Sequence, residues 1–103
     1  MSSLDYHSIV REPLDPAAAK TLVRTILDAG TVSFSRHARE ELREDGLTTV
    51  DAVNALRGGV VSPGELEHGT WRYRVRTARL VVVVAFRSEI ELVVVTGWRV
   101  GRR

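Results

Sequence analysis

Two groups of residues in this chain have the types and spacing to handle phosphate. The first is His37, two positions after Ser35 at the start of the run RHAREELRED. Ser35 reads as a helix N-cap, and a helix start offers unpaired N–H groups and the positive end of the helix dipole, both favourable to anions. A histidine there can bind phosphate or act as general acid or base near neutral pH. The competing reading is structural: a partly buried imidazole that packs its helix on a sheet and hydrogen-bonds a backbone carbonyl. The second group is Arg72, Arg74 and Arg76, which alternate with Trp71, Tyr73 and Val75. Strand residues at i and i+2 share a face about 7 Å apart, close to the phosphate spacing of a single nucleic-acid strand. Trp71 and Tyr73 then point the other way, into a core. The competing reading for the arginines is a solvated strand face that discourages aggregation.

Charge is distributed unevenly along the 103 residues. Residues 71–103 hold eight arginines against only Glu89 and Glu91, although the net charge is just +2. All the cations but Lys20 are arginine, whose planar guanidinium suits phosphate and carboxylate. Arg79, Arg87, Arg99, Arg102 and Arg103 extend the excess, which suggests an anionic partner, either nucleic acid or an acidic protein; for nucleic acid, Arg79 and Arg99 are candidate contacts beside Arg72 and Arg76. His7 and His68 have no HxH or HExxH spacing with each other or with His37, so no metal site and no cofactor are expected. His68, beside Gly69, reads as a turn residue. There is no cysteine, hence no disulfide and no thiolate chemistry, which fits a reducing compartment. No glycine-rich phosphate loop or nucleophile elbow is present. Glu40, Glu41, Glu44 and Asp45 interleave with Arg36, Arg39 and Arg43 as on a solvated helix.

The elements that must position these groups are legible. Residues 1–14 read as an irregular lead-in and 15–103 as one domain. Asp15-Pro16 starts a helix in which Ala19, Leu22, Val23, Ile26 and Leu27 form one apolar stripe, and Gly30 falls where a left-handed C-terminal cap belongs. Thr31 to Phe34 is a brief strand or an extended link. A second helix follows Ser35, with Ala38 and Leu42 facing inward, and stops at Gly46. Thr48 and Asp51 have capping-box spacing for a third helix that ends at Gly58-Gly59. After Pro63-Gly64 the period becomes 2. The basic strand comes first, then Leu80 to Phe86, apolar on both faces and therefore central, then Ile90 to Thr96. Val60-Val61 or Glu65–Glu67 adds one more strand. The result is an α+β domain, with N-terminal helices on one face of a 3–4-stranded antiparallel sheet. The other face of strand 80–86 would need cover from the lead-in, a partner or a second subunit. No signal peptide or membrane span is visible, so a soluble cytoplasmic protein is expected.

The segment Ser35-Arg36-His37-Ala38, with Glu40, Leu42, Gly46-Leu47-Thr48 and the helix Val50 to Leu56, resembles an uncharacterised bacterial family. Its pattern runs S-x-H-A-x-E-R-M-x-E-R-G-I-S, then a short helix. Trp71 to Val75 resembles that family's basic strand and Val94 to Arg99 its closing strand, so the likeness covers roughly residues 33–99. The family is similar in turn to small bacterial toxins of the RelE, BrnT and MqsR type, which imply a RelE/barnase-like fold and RNA cleavage without a metal. On that likeness His37 and Arg74 are the catalytic candidates, with His37 as general acid or base. Arg72 and Arg74 match family positions and, with Arg76, would hold the scissile phosphate. Two positions depart from the family: Glu41 and Asp45 stand where it has arginine. The resemblance implies RNA and an acidic antitoxin-like protein as partners. The alternative is a non-catalytic module of the same fold that docks an acidic protein or forms a homodimer through the sheet.

Overall fold

A computed structural model describes residues 9–101. Among these residues three helices, α1 (Pro16–Ala29), α2 (Arg36–Glu44) and α3 (Thr49–Gly58), accompany six strands. The strands are β1 (Thr31–Phe34), β2 (Val60–Val61), β3 (Glu65–Glu67), β4 (Thr70–Arg76), β5 (Leu80–Ser88) and β6 (Glu91–Arg99). Among the described residues no helix is long and apolar enough to cross a membrane. His7, Arg102, Arg103 and most of the lead-in lie outside the described residues.

Each helix begins where side-chain chemistry satisfies its first free N–H groups. Asp15 accepts from the Ala18 amide at 2.7 Å, and Ser35 accepts from the Ala38 amide at 3.0 Å. Thr48 and Asp51 complete a reciprocal capping box. Hydrogen bonds to the Thr48 backbone and hydroxyl hold the Asp51 carboxyl below the usual carboxylate range. Gly46 stops α2 with φ of +71°, a value that favours glycine. Gly30 differs from expectation: its backbone is extended, with φ of −116°, so it is no left-handed cap. A Cβ there would lie 2.3 Å from the Ile90 carbonyl oxygen, so close approach of the backbone is what requires glycine.

The main sheet has the order β1-β6-β5-β4-β2, with β3 pairing the other half of β4. The domain is α+β as the sequence implies, but with six strands, since Val60–Val61 and Glu65–Glu67 both form and Thr31–Phe34 joins the sheet as well. One pairing is also parallel, β1 with β6 in the register Thr31↔Glu91 to Phe34↔Val94.

All three helices pack on one sheet face. Ala19, Val23 and Ile26 of α1, Ala38 and Leu42 of α2, and Ala52, Ala55 and Leu56 of α3 meet Tyr73, Val75, Val82, Val84, Leu92 and Val94 in one core. Tyr73 is fully buried, with its ring 5.3 Å from that of Phe86. Its hydroxyl accepts from the Leu14 amide at 2.9 Å and donates to Glu12 at 3.0 Å, tying the lead-in to the sheet. Burial raises the Glu12 carboxyl above its ordinary range and pushes the Tyr73 phenol up to about 12. Folded Tyr73 thus keeps its proton above pH 10, where an unfolded tyrosine loses it. Its stabilising contribution is complete below pH 10 and drains away as pH rises towards 12. Tyr73→Phe leaves the Leu14 amide unpaired and is expected to cost about 1–2 kcal/mol at pH 7. Urea titrations at pH 7 and pH 11 check both parts: the variant should lose less than the wild type between the two. An equal loss in the two proteins contradicts the assignment.

Candidate functional site

The helix-free face of the sheet carries the arginines. Tyr73 and Val75 point into the core, so alternation puts Arg72, Arg74 and Arg76 on the opposite side, with Arg74 and Arg76 exposed. Arg74 pairs in register with Val83 on β5, and Val83 with Thr96 on β6. These three residues form one row across the open face, its ends two strand spacings, about 10 Å, apart. The parallel row below runs from Arg76 through Val81 to Trp98. Arg74 lies over the Trp98 ring, 5.8 Å from its centroid.

A β-bulge makes this arrangement possible. Val84 pairs with Val94 while Val83 pairs with Thr96, so Val95 is an extra residue on β6. Val94 faces the core, and without the bulge Thr96 would face it too. With it, Thr96 and Trp98 turn to the arginine face, and Gly97 turns inward beneath Leu42 of α2. Ser35 fixes the junction: its hydroxyl donates to the Val95 carbonyl at 3.2 Å while capping α2.

His37 and Glu41 come to this row from its β6 end. Glu41 accepts from the Thr96 hydroxyl at 3.2 Å, and His37 Nε2 lies 3.6 Å from the same carboxylate oxygen, Oε1. The histidine side chain is 68% exposed, and its nearest charged partner is this carboxylate, so the packed, carbonyl-bonded histidine of the structural reading is not what forms. Glu41, which from sequence only reversed a charge, is instead the residue that links His37 to the sheet. The chain of contacts runs His37–Glu41–Thr96, and Thr96 shares a cleft of about 100 Å³ with Arg72, Arg74, Glu65, Glu67 and Trp98.

Two expected contacts lie elsewhere. Arg99 pairs with Leu80, a residue of the helix-side core, and its guanidinium donates to the Asp45 carbonyl at 3.0 and 3.2 Å. Arg79 sits with Arg99, Asp51 and Asn54 around a groove of about 430 Å³ between α3 and the β4–β5 turn. The register of β6 against β5 separates this pair from the stripe. Arg87 pairs with Glu91 at 3.6 Å, also away from it.

The open face is not the bare apolar surface that a doubly apolar β5 suggests. Val81 and Val83 are only 6% and 7% exposed, and each lines a cleft together with Arg74 and Trp98. A homodimer held by exposed valines therefore loses its premise. Nor are all the arginines free of partners. Arg72 pairs with Glu67 at 2.6 Å and Arg74 with Glu65 at 3.8 Å, while no ion pair within 4 Å forms at Arg76 among the described residues. The Arg72 Nε is buried and lacks a hydrogen-bond acceptor among the described residues. Among the described residues no three His, Asp or Glu side chains gather in a way that would hold a metal ion.

Sequence reasoning missed Thr96 and Trp98 as members of this face. Gly97 between them, a glycine inside a valine-rich strand, was the available signal of a bulge or close approach. Comparison with known proteins gives no match, whether to family models, to curated proteins or to solved structures.

Proposed function

We propose that the helix-free face binds single-stranded RNA and that the His37–Glu41 pair at its rim cleaves it, in the manner of a metal-independent, toxin-like ribonuclease. The observation that carries this reading is the row Arg74–Val83–Thr96 with Glu41 bonded to its far end. It sets a guanidinium, an imidazole–carboxylate pair and a cleft in one line, which supports the reading. Arg72, Arg74 and Arg76 follow the backbone at phosphate spacing, and Trp98 offers a ring edge for a base.

In the reaction this supports, the ribose 2′-oxygen attacks phosphorus as its proton passes to the Glu41 carboxylate. The bond from phosphorus to O5′ breaks, and protonated His37 gives its proton to the departing oxygen. The products are a 2′,3′-cyclic phosphate and a 5′-hydroxyl end. Arg74 offsets the negative charge that gathers on the phosphoryl oxygens in the transition state. Expression of the chain in bacteria should arrest growth, and His37→Ala should relieve the arrest. The purified protein should cleave RNA in the presence of a chelator, and His37→Ala should lower the rate by about a hundredfold or more. Normal growth together with intact RNA removes the cleavage half of the proposal and leaves binding to be judged separately.

A second reading is favoured by one observation: Glu65 and Glu67 of the chain's own β3 already pair with the stripe. An extended acidic segment of a protein partner, such as an antitoxin-like tail, would engage the same guanidiniums in the same way. That contact is ionic and weakens with salt as RNA binding does, so the two readings are separated by measuring a labelled acidic peptide and a labelled RNA oligomer side by side at one salt concentration.

A further inference from the structure

We infer that β3 is a built-in acidic strap that competes with the nucleic-acid strand for Arg72 and Arg74, so that the site is held partly closed by its own chain. This rests on the RNA-binding reading of the open face given above.

The geometry is that of a competitor rather than of a structural ion pair. β3 pairs antiparallel with the first half of β4, in the register Glu65↔Arg72, Leu66↔Trp71 and Glu67↔Thr70. Cross-strand partners share a face, so both carboxylates stand on the arginine side while Leu66 points away and is 60% exposed. Each glutamate reaches diagonally to an arginine, Glu67 to Arg72 and Glu65 to Arg74. Two anions at i and i+2 on an extended backbone thus occupy two neighbouring guanidiniums, as two successive phosphates would.

The strap is held by its ends rather than by a core. Its own three residues are all exposed. At one end Gly64 packs so closely on the Tyr73 ring that a Cβ would come within 2.8 Å of it. At the other, His68 and Gly69 turn the chain with positive φ values of 52° and 80°. The glutamate side chains remain 56% and 66% exposed against 30% for Arg72 and 53% for Arg74, so the carboxylates are open to salt and a polyanion can displace them, Glu65 more readily than Glu67. Arg76 pairs with neither glutamate and offers the first contact for an incoming strand.

The test measures binding of a fluorescein-labelled twelve-nucleotide uridine oligomer by anisotropy at 50 mM salt, with His37→Ala in every protein to prevent cleavage. Glu65→Gln/Glu67→Gln in that background should bind about tenfold more tightly, since each exposed pair is worth a factor of up to about five. Removing two negative charges also strengthens binding non-specifically, so a second variant carries the same change in net charge away from the strap. Asp28→Asn/Glu89→Gln serves, and should gain twofold or less. The tenfold gain should vanish when Arg72 and Arg74 are glutamine. A gain from the strap variant no larger than the control's, or one that survives loss of the two arginines, overturns the strap and leaves the RNA reading standing. Absence of binding by every variant overturns the RNA reading, and the strap with it. Glu67→Gln alone, expected to gain about threefold, guards against a folding defect in the double variant.

Discussion

With Arg72, Arg74 and Arg76 replaced together by glutamine, the affinity for a single-stranded RNA oligomer is expected to fall about a hundredfold at 0.1 M salt. The size follows from counterion release. Three phosphate contacts on a single strand give a slope of about −2 in log affinity against log salt, which at 0.1 M amounts to about two decades relative to 1 M. The slope itself should flatten by about 2 in the triple variant, and that is the more discriminating readout. Glutamine keeps most of the side-chain length over Val81 and Val83, so packing is preserved and the loss reports charge. A salt titration of both proteins decides it. Unchanged slopes would mean that the stripe does not touch phosphate, whatever the absolute affinity.

The second large effect concerns the support of the proposed acid–base pair. Leu42 is 1% exposed and lies against Gly97, where the bulged strand turns a hydrogen atom rather than a side chain towards α2. Leu42→Ala empties that contact and is expected to cost about 3 kcal/mol, within the range for a buried leucine whose surroundings close only in part. In a chain of 103 residues that lowers the melting temperature by more than about 10 °C. Because α2 carries His37 and Glu41, RNA cleavage should fall further than RNA binding, which depends on β4. Equilibrium unfolding beside the two activity assays checks this. A cost below about 1 kcal/mol, or equal loss of both activities, would show that α2 is not seated through Leu42.

How far the site could be read from sequence depended on the range of the interaction that fixes each part. The helix starts were legible because Asp15-Pro16, Ser35 and the Thr48–Asp51 box act within four residues of themselves. The arginine face was legible because strand alternation is local, and Tyr73 and Val75 lie in the core opposite it. The need for glycine at position 30 is not local, since the atom that excludes a side chain there belongs to Ile90, 60 residues on. Charge alone does not separate Arg79 and Arg99 from the stripe; only the pairing of Leu80 with Arg99 reveals that they lie elsewhere. Glu41 reads locally as a lone charge because the Thr96 hydroxyl bonded to it comes from a strand 55 residues later. Parallel pairing of β1 with β6 leaves no local trace at all, since neither partner carries a turn signal pointing to the other.

Val95 acts as a phase shift in the chain. Before it, odd and even positions of the closing strand obey one assignment of inside and outside; after it they obey the reverse. A single residue thereby lets Val94 serve the interior while Thr96 and Trp98 serve the surface, with an even spacing that an unbroken strand would have forced onto one side. Substitution at the even positions before that point is governed by packing and at the even positions after it by what the surface touches, so residues of like parity on one strand are free to diverge under separate pressures.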